Sequence, residues 1–142
     1  MIPIITSSLL LLVAVHHAPQ IDADRFLESV REVAQAEHTA LGAYDVSRTV
    51  WEQHCMTIPY RLNRQERCFA MLCAKVHLKW LISGLERTGI EPSAYNLGAC
   101  WLLGLEGGKI AIRKHDPCSY AQRIANIYHA AEIAELRGTV GD

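Results

Sequence analysis

The sequence predicts an all-α domain of about five helices. Three observations carry that expectation. Apolar residues recur at helical spacing through most of the chain. Cap residues and helix breakers (Asp22, Ser47, Asn63, Gly89, Pro92 and the pair Asp116-Pro117) punctuate it at helix-length intervals. No segment carries a convincing strand alternation. With 142 residues, 50% of them hydrophobic and 20% charged, the chain is sized for one core.

The elements follow in order. Residues 1–20, MIPIITSSLLLLVAVHHAPQ, hold no Lys, Arg, Asp or Glu, and Leu9–Val15 is purely aliphatic. That length suits a secretory h-region better than a membrane span, so an N-terminal hydrophobic signal segment is expected and, with it, an exported protein. An uncleaved anchor or a first helix folded into the domain is the alternative. The domain itself is expected over 21–137 and a tail over 138–142.

A first helix is expected from about Asp22 to His38, capped by Asp22 or Asp24. Stepping 100° per residue puts Val30, Val33 and Glu37 within about 40° of Phe26, with Leu27 and Ala34 on the flank. Thr39–Tyr44 reads as a loop around Gly42. Ser47 caps a short helix carrying Val50 and Trp51, and Pro59 ends that region. Asn63, with Glu66 in capping-box spacing, opens a long helix to about Arg87, and Gly89 fits its C-cap. Phe69, Leu72, Cys73, Val76 and Trp80 share its expected inward face, and Leu78, Leu81, Ile82 and Leu85 widen the stripe, so its second half is expected to be buried on most sides. Pro92 opens a helix over Ser93–Leu103. Leu105–His115, with Gly107-Gly108 and Lys109, Arg113 and Lys114, reads as a loop or short extended piece. Asp116-Pro117 starts a last helix, whose inward face is Tyr120, Ile124, Ile127 and Ala131.

Several function classes have no support in the sequence. The net charge of −1 gives no footprint for nucleic acid. No phosphate-binding loop, dinucleotide fingerprint or nucleophile elbow appears, and no cofactor is implied. The scattered histidines and the five cysteines lack metal-ligand spacing. The odd cysteine count prevents complete internal pairing. Cys68 and Cys73 face different sides of one helix. Buried free thiols are favoured over one disulfide. The basic cluster at 109–114 is most simply solvated, with acidic peptides as an alternative contact.

Glu37 is the sharpest chemical feature. A carboxylate facing a core is costly unless paired or neutral, and desolvation favours the protonated form that a general acid needs. A glutamate reaching solvent, or pairing with an arginine, is the bland alternative. Tyr120 starts the inward face of the last helix, where a buried hydroxyl seeks a partner. Ser47 is explained equally well as an N-cap.

Three stretches carry a family resemblance. AEHTALGAYDVSRTVW (36–51) resembles the motif of lysozyme-like lytic transglycosylases and goose-type lysozymes, in which a helix ends in catalytic Glu-Ser before Gly-Ala-Tyr-Gln-Ile-Ser and a Trp. YNLGACWLLG (95–104) resembles their Tyr-Asn-Leu-Ala-x-Ala-Trp-Asn-x-Gly, and SYAQRIANIY (119–128) their Asp-Tyr-Ala-x-Arg-Val-x-Asn-Leu-Tyr. The three occur in family order and together span about Asp22–Tyr128.

The resemblance implies a lysozyme-like fold and cleavage of peptidoglycan between N-acetylmuramic acid and N-acetylglucosamine. Glu37 would protonate the glycosidic oxygen, then act as base toward the muramic 6-hydroxyl. One enzymic carboxylate suffices for that chemistry, unlike the two-carboxylate glycosidases. Asp45 is a candidate second carboxylate. Tyr120 would correspond to the tyrosine that orients the glutamate. Tyr44, Ser47, Tyr95, Asn96 and Trp101 are candidate glycan contacts. Partners would be glycan strands, without an obligate membrane partner, and the oligomeric state is left open.

The departures are specific. Glu-Ser is Glu37-His38 here, the groove Gln is Asp45, and the Asn of Trp-Asn-x-Gly is Leu102. A competing register keeps the Asn as Asn96. Loss of that hydrogen bond leaves a second expectation: a catalytically weakened module that binds peptidoglycan or a partner protein.

Overall fold

The computed structural model describes residues 20–37, 42–55, 58–60 and 67–140. Among them it is all helical, with five helices and no strand: α1 (Ala23–Glu37), α2 (Arg48–His54), α3 (Arg67–Arg87), α4 (Ala94–Lys114) and α5 (Ser119–Val140). The signal-segment expectation for residues 1–20 and the capping box at Asn63 and Glu66 lie outside the described residues, apart from Gln20.

Asp22 caps α1: its Oδ1 accepts from Arg25 N at 3.0 Å and its carbonyl from Phe26 N at 2.9 Å. Phe26, Leu27, Val30, Val33 and Ala34 are buried, as the helical stripe predicts. The stripe stops one turn before Glu37. α1 is held to α5 by Arg25, which pairs with Glu132 and Glu135 and lies over the Tyr128 ring at 5.2 Å.

α3 packs against α1, α2 and α4. Its inward face keeps Cys73, Leu78, Leu81 and Leu85 of the expected stripe and corrects the rest. Ala70, Cys73, Ala74, His77, Leu78, Leu81 and Leu85 are buried, whereas Phe69, Leu72, Val76 and Trp80 are exposed. Ala70 and Ala74 take inward positions, while Leu72 and Val76, two residues further on, face outward. Cys68–Arg87 is long and apolar enough to cross a membrane by length and composition, and 44% of that window is buried against the rest of the fold. Ile90 N bonds to Leu85 O and Gly89 N to Glu86 O, closing α3 with the expected glycine cap.

The largest correction concerns residues 105–115, which are helical rather than a loop. Ser93 caps α4 by accepting from Asn96 N at 3.1 Å, so Pro92 lies one residue before the cap instead of at the first helical position. α4 is bent at Gly104, whose φ of 78° and ψ of 167° are non-helical. Residues eight apart in a straight helix lie about 12 Å apart along the axis. Here a Cβ placed on Gly108 would stand 2.7 Å from Cys100 Cα. The chain therefore doubles back at Gly104, and Gly108 is the residue that lets the second half touch the first. Glycines that suggest a loop by propensity are here the requirement of a close helix contact. Lys109 is correspondingly buried and paired with Glu106 at 2.8 Å, rather than solvated.

α5 also differs at both ends. Its first helical bond runs from Gln122 N to Cys118 O, so Asp116-Pro117 precedes the cap. The helix continues through Val140, across the start of the expected tail. Tyr120 and Ile124 are buried as expected, joined by Ala121, Ala125 and Tyr128. The five cysteines are free thiols: Cys55, Cys73 and Cys100 buried, Cys118 half-buried and Cys68 exposed.

Candidate functional site

The turn after α1 builds one wall of a cavity. Asp45 N bonds to Gly42 O at 3.2 Å, and Asp45 adopts a left-handed φ of 56°, a conformation Asp tolerates better than most residues. Tyr44 and Val46 on either side of it are buried. The Tyr44 carbonyl accepts from Trp101 Nε1 at 3.0 Å, which ties the turn to α4. Ser47 then caps α2, its Oγ accepting from Val50 N at 3.3 Å.

The cavity beside this turn has a volume of about 510 Å³. Glu37, Asp45, Ser47, Trp101 and Tyr120 all line it. Five of the eight residues singled out from the sequence thus converge, from α1, the following turn, α4 and α5. The other three do not. Tyr44 is 2% exposed, so its ring has no face for a sugar. Tyr95 is half-buried and its hydroxyl accepts from Cys118 N at 3.1 Å, which positions the start of α5. Asn96 donates its Nδ2 to Glu91 O at 2.9 Å, a local bond at the start of α4.

Glu37 is not the buried acid that the helical stripe predicts. Its side chain is 38% exposed and ion-paired with Arg123 of α5. The last turn of α1 projects past the core, and the flexible side chain reaches solvent and a guanidinium. The paired, exposed alternative is the one realised.

The Tyr120 hydroxyl, expected to orient Glu37, donates instead to Asp45 Oδ2 at 3.2 Å, and Glu37 takes Arg123 as its partner. Burial, then the charge of Asp45, then this hydrogen bond, then the charge of Glu37 push the phenol well above its ordinary value. Tyr120 is therefore held neutral, as a donor, against two acidic side chains.

Two cavity residues are missed by the sequence reading. His77 is buried on the inward face of α3, with Nδ1 3.1 Å from His54 Nε2. Its ring stands edge-on to Trp101 with centroids 4.9 Å apart. Burial first, and then His54, lower it to about 4. Cys100, packed against Gly108, is pushed up to about 11 by burial. A histidine at a position in phase with Cys73, Leu81 and Leu85 was the available signal for His77. Leu102, 54% exposed, lines the cavity where the resemblance has Asn. Among the described residues no group of three or more His, Cys, Asp or Glu is placed to hold a metal ion.

The arrangement offers an acidic, partly apolar recess: two carboxyl side chains, one neutral phenol, the Trp101 indole and a floor of aliphatic side chains from α4. Comparisons with protein-family models, with curated proteins and with solved structures return no match.

Proposed function

We propose that the protein cleaves glycan strands of peptidoglycan in a lysozyme-like site, with Glu37 as the catalytic carboxyl group. The observation that carries this reading is the meeting of Glu37, Asp45, Trp101 and Tyr120 on one cavity, since these residues come from the three stretches that resemble transglycosylase motifs. In this mechanism a glycan strand enters the cavity and the glycosidic oxygen approaches Glu37 from the solvent side. Glu37 must exchange its contact with Arg123 for one with the sugar before it can deliver a proton. Tyr120, kept neutral, orients Asp45. Asp45 then either steadies the cationic sugar ring or positions a water, which would give hydrolysis in place of the anhydro product.

A second reading is a module that binds peptidoglycan or a partner protein without cutting. The Glu37–Arg123 ion pair and Leu102 favour it, because one occupies the acid and the other removes a polar contact. Zymography on cell walls separates the two. Clearing by the wild type and none by Glu37→Gln is the result expected of the enzyme. Clearing by both removes Glu37 from the mechanism, and retention on cell walls without clearing by either identifies the binding module.

A further inference from the structure

Cys55 and Cys73 stand apart from the other cysteines. Cys55 follows α2 directly, its N–H bonded to Trp51 O at 2.7 Å, and its side chain is buried. Cys73 is fully buried on the inward face of α3, one turn before His77. The bond between His54 Nε2 and His77 Nδ1, at 3.1 Å, fixes the end of α2 against this part of α3. The residue after His54 is thereby set toward the residue one turn before His77, and the Cys55 thiol is near enough to add to the effect of burial in raising Cys73. Both belong to the same core cluster. The remaining cysteines lack such a neighbour: Cys68 faces solvent, Cys100 packs on Gly108, and Cys118 lies against the Tyr95 hydroxyl.

We propose that Cys55 and Cys73 are a disulfide-forming pair, oxidised by thiol–disulfide exchange to a bond that staples α2 onto α3. A small-molecule disulfide such as oxidised glutathione is the oxidant. One protein thiolate attacks it and displaces one glutathione thiolate. The second protein thiolate attacks the resulting mixed disulfide and displaces the other. One protein S–S bond forms, the two thiol protons pass to the two leaving thiolates by way of solvent, and the reagent is reduced to two thiols. Burial pushes the Cys73 thiol up to about 12, so exchange proceeds while α2 is open or still folding. α2 has only seven residues and packs mainly on α3, which makes it the element that opens. Closed by the bond, α2 holds Thr49 and Val50 in place as part of the cavity wall. The inference stands independently of the glycan-cleaving reading.

The test uses the full chain, refolded and equilibrated with oxidised glutathione, then alkylated in denaturant and mapped by mass spectrometry. The expected result is a linked Cys55–Cys73 peptide, with Cys68, Cys100 and Cys118 alkylated. Reduction is expected to lower the melting temperature by roughly 10 °C, and Cys55→Ser to abolish both the link and that shift. Alkylation of all five cysteines, glutathione retained on either thiol in place of the link, or a bond between any other pair overturns the proposal. The wild-type map decides the matter even if Cys55→Ser fails to fold.

Discussion

Tyr120 donates its hydroxyl hydrogen to Asp45 Oδ2 at 3.2 Å, joining the start of the last helix to the turn that follows the first. Seventy-five residues separate the two in sequence. Both residues line the cavity that Glu37 also lines, and Asp45 holds a left-handed backbone conformation in the turn.

Tyr120→Phe is expected to fold and to lose about 1 kcal/mol, the usual worth of a hydrogen bond whose acceptor retains access to water. Urea unfolding at pH 7 measures this. The alkaline limb gives a second readout. Tyr120 is raised above its ordinary value of 10.0, so its contribution to stability is complete below pH 10 and is lost as pH rises toward the folded-state value. Wild type should therefore lose stability above pH 10 more steeply than Tyr120→Phe.

His77 gives the opposite sign. Its folded-state value of about 4 lies below the ordinary 6.5, so the unfolded chain takes up a proton first as pH falls. Stability is complete above pH 6.5 and declines toward pH 4, by on the order of 3 kcal/mol for a shift of 6.5 − 4 = 2.5 units at 1.36 kcal/mol each. Urea midpoints across this window should fall less steeply in His77→Gln than in the wild type.

Gly108→Ala should be among the most damaging single methyl additions. The new Cβ would meet Cys100 Sγ at 2.5 Å, its Cα at 2.7 Å and its N at 2.9 Å. Two of these are backbone atoms, so the two halves of α4 must separate. A loss of about 1–3 kcal/mol is expected by chemical denaturation. The same change at Gly138, which has open space around it, should cost far less.

Arg123→Gln tests the pairing at the mouth of the site. Both partners are well exposed, so less than about 1 kcal/mol of stability should be lost. If the pair restrains Glu37, glycan cleavage should change while the unfolding midpoint stays near that of the wild type. A fall in the midpoint that accounts for the whole change would assign Arg123 a purely structural part.

The legible features of the sequence were the local ones. The stripe Phe26–Val30–Val33, the Ser47 cap and the Gly89 terminus are each specified within a few residues of themselves, and the structure has all three. The features that failed depend on a distant partner. α3 turns Ala70 and Ala74 inward and Leu72 and Val76 outward, a choice of face that depends on the helices packed against it and that periodicity alone does not reveal. Gly107-Gly108 suggests a loop until Cys100 is seen against it. The angular position of Glu37 predicts a buried side chain, but a helical wheel does not say where the core ends, and the carboxylate is exposed at the cavity. His77 is in phase with Cys73 and Leu81, but its partner, His54, lies on another helix, so the sequence carries no local sign of the pair.

The most direct measurement is the product analysis of purified glycan strands incubated with wild type and with Glu37→Gln, by mass spectrometry. Wild type is expected to release muropeptides with new anhydro or reducing ends, and Glu37→Gln at least about a hundredfold fewer, on the order of the loss of a general acid. Equal product from both proteins, at equal folded fraction, would contradict the catalytic role of Glu37.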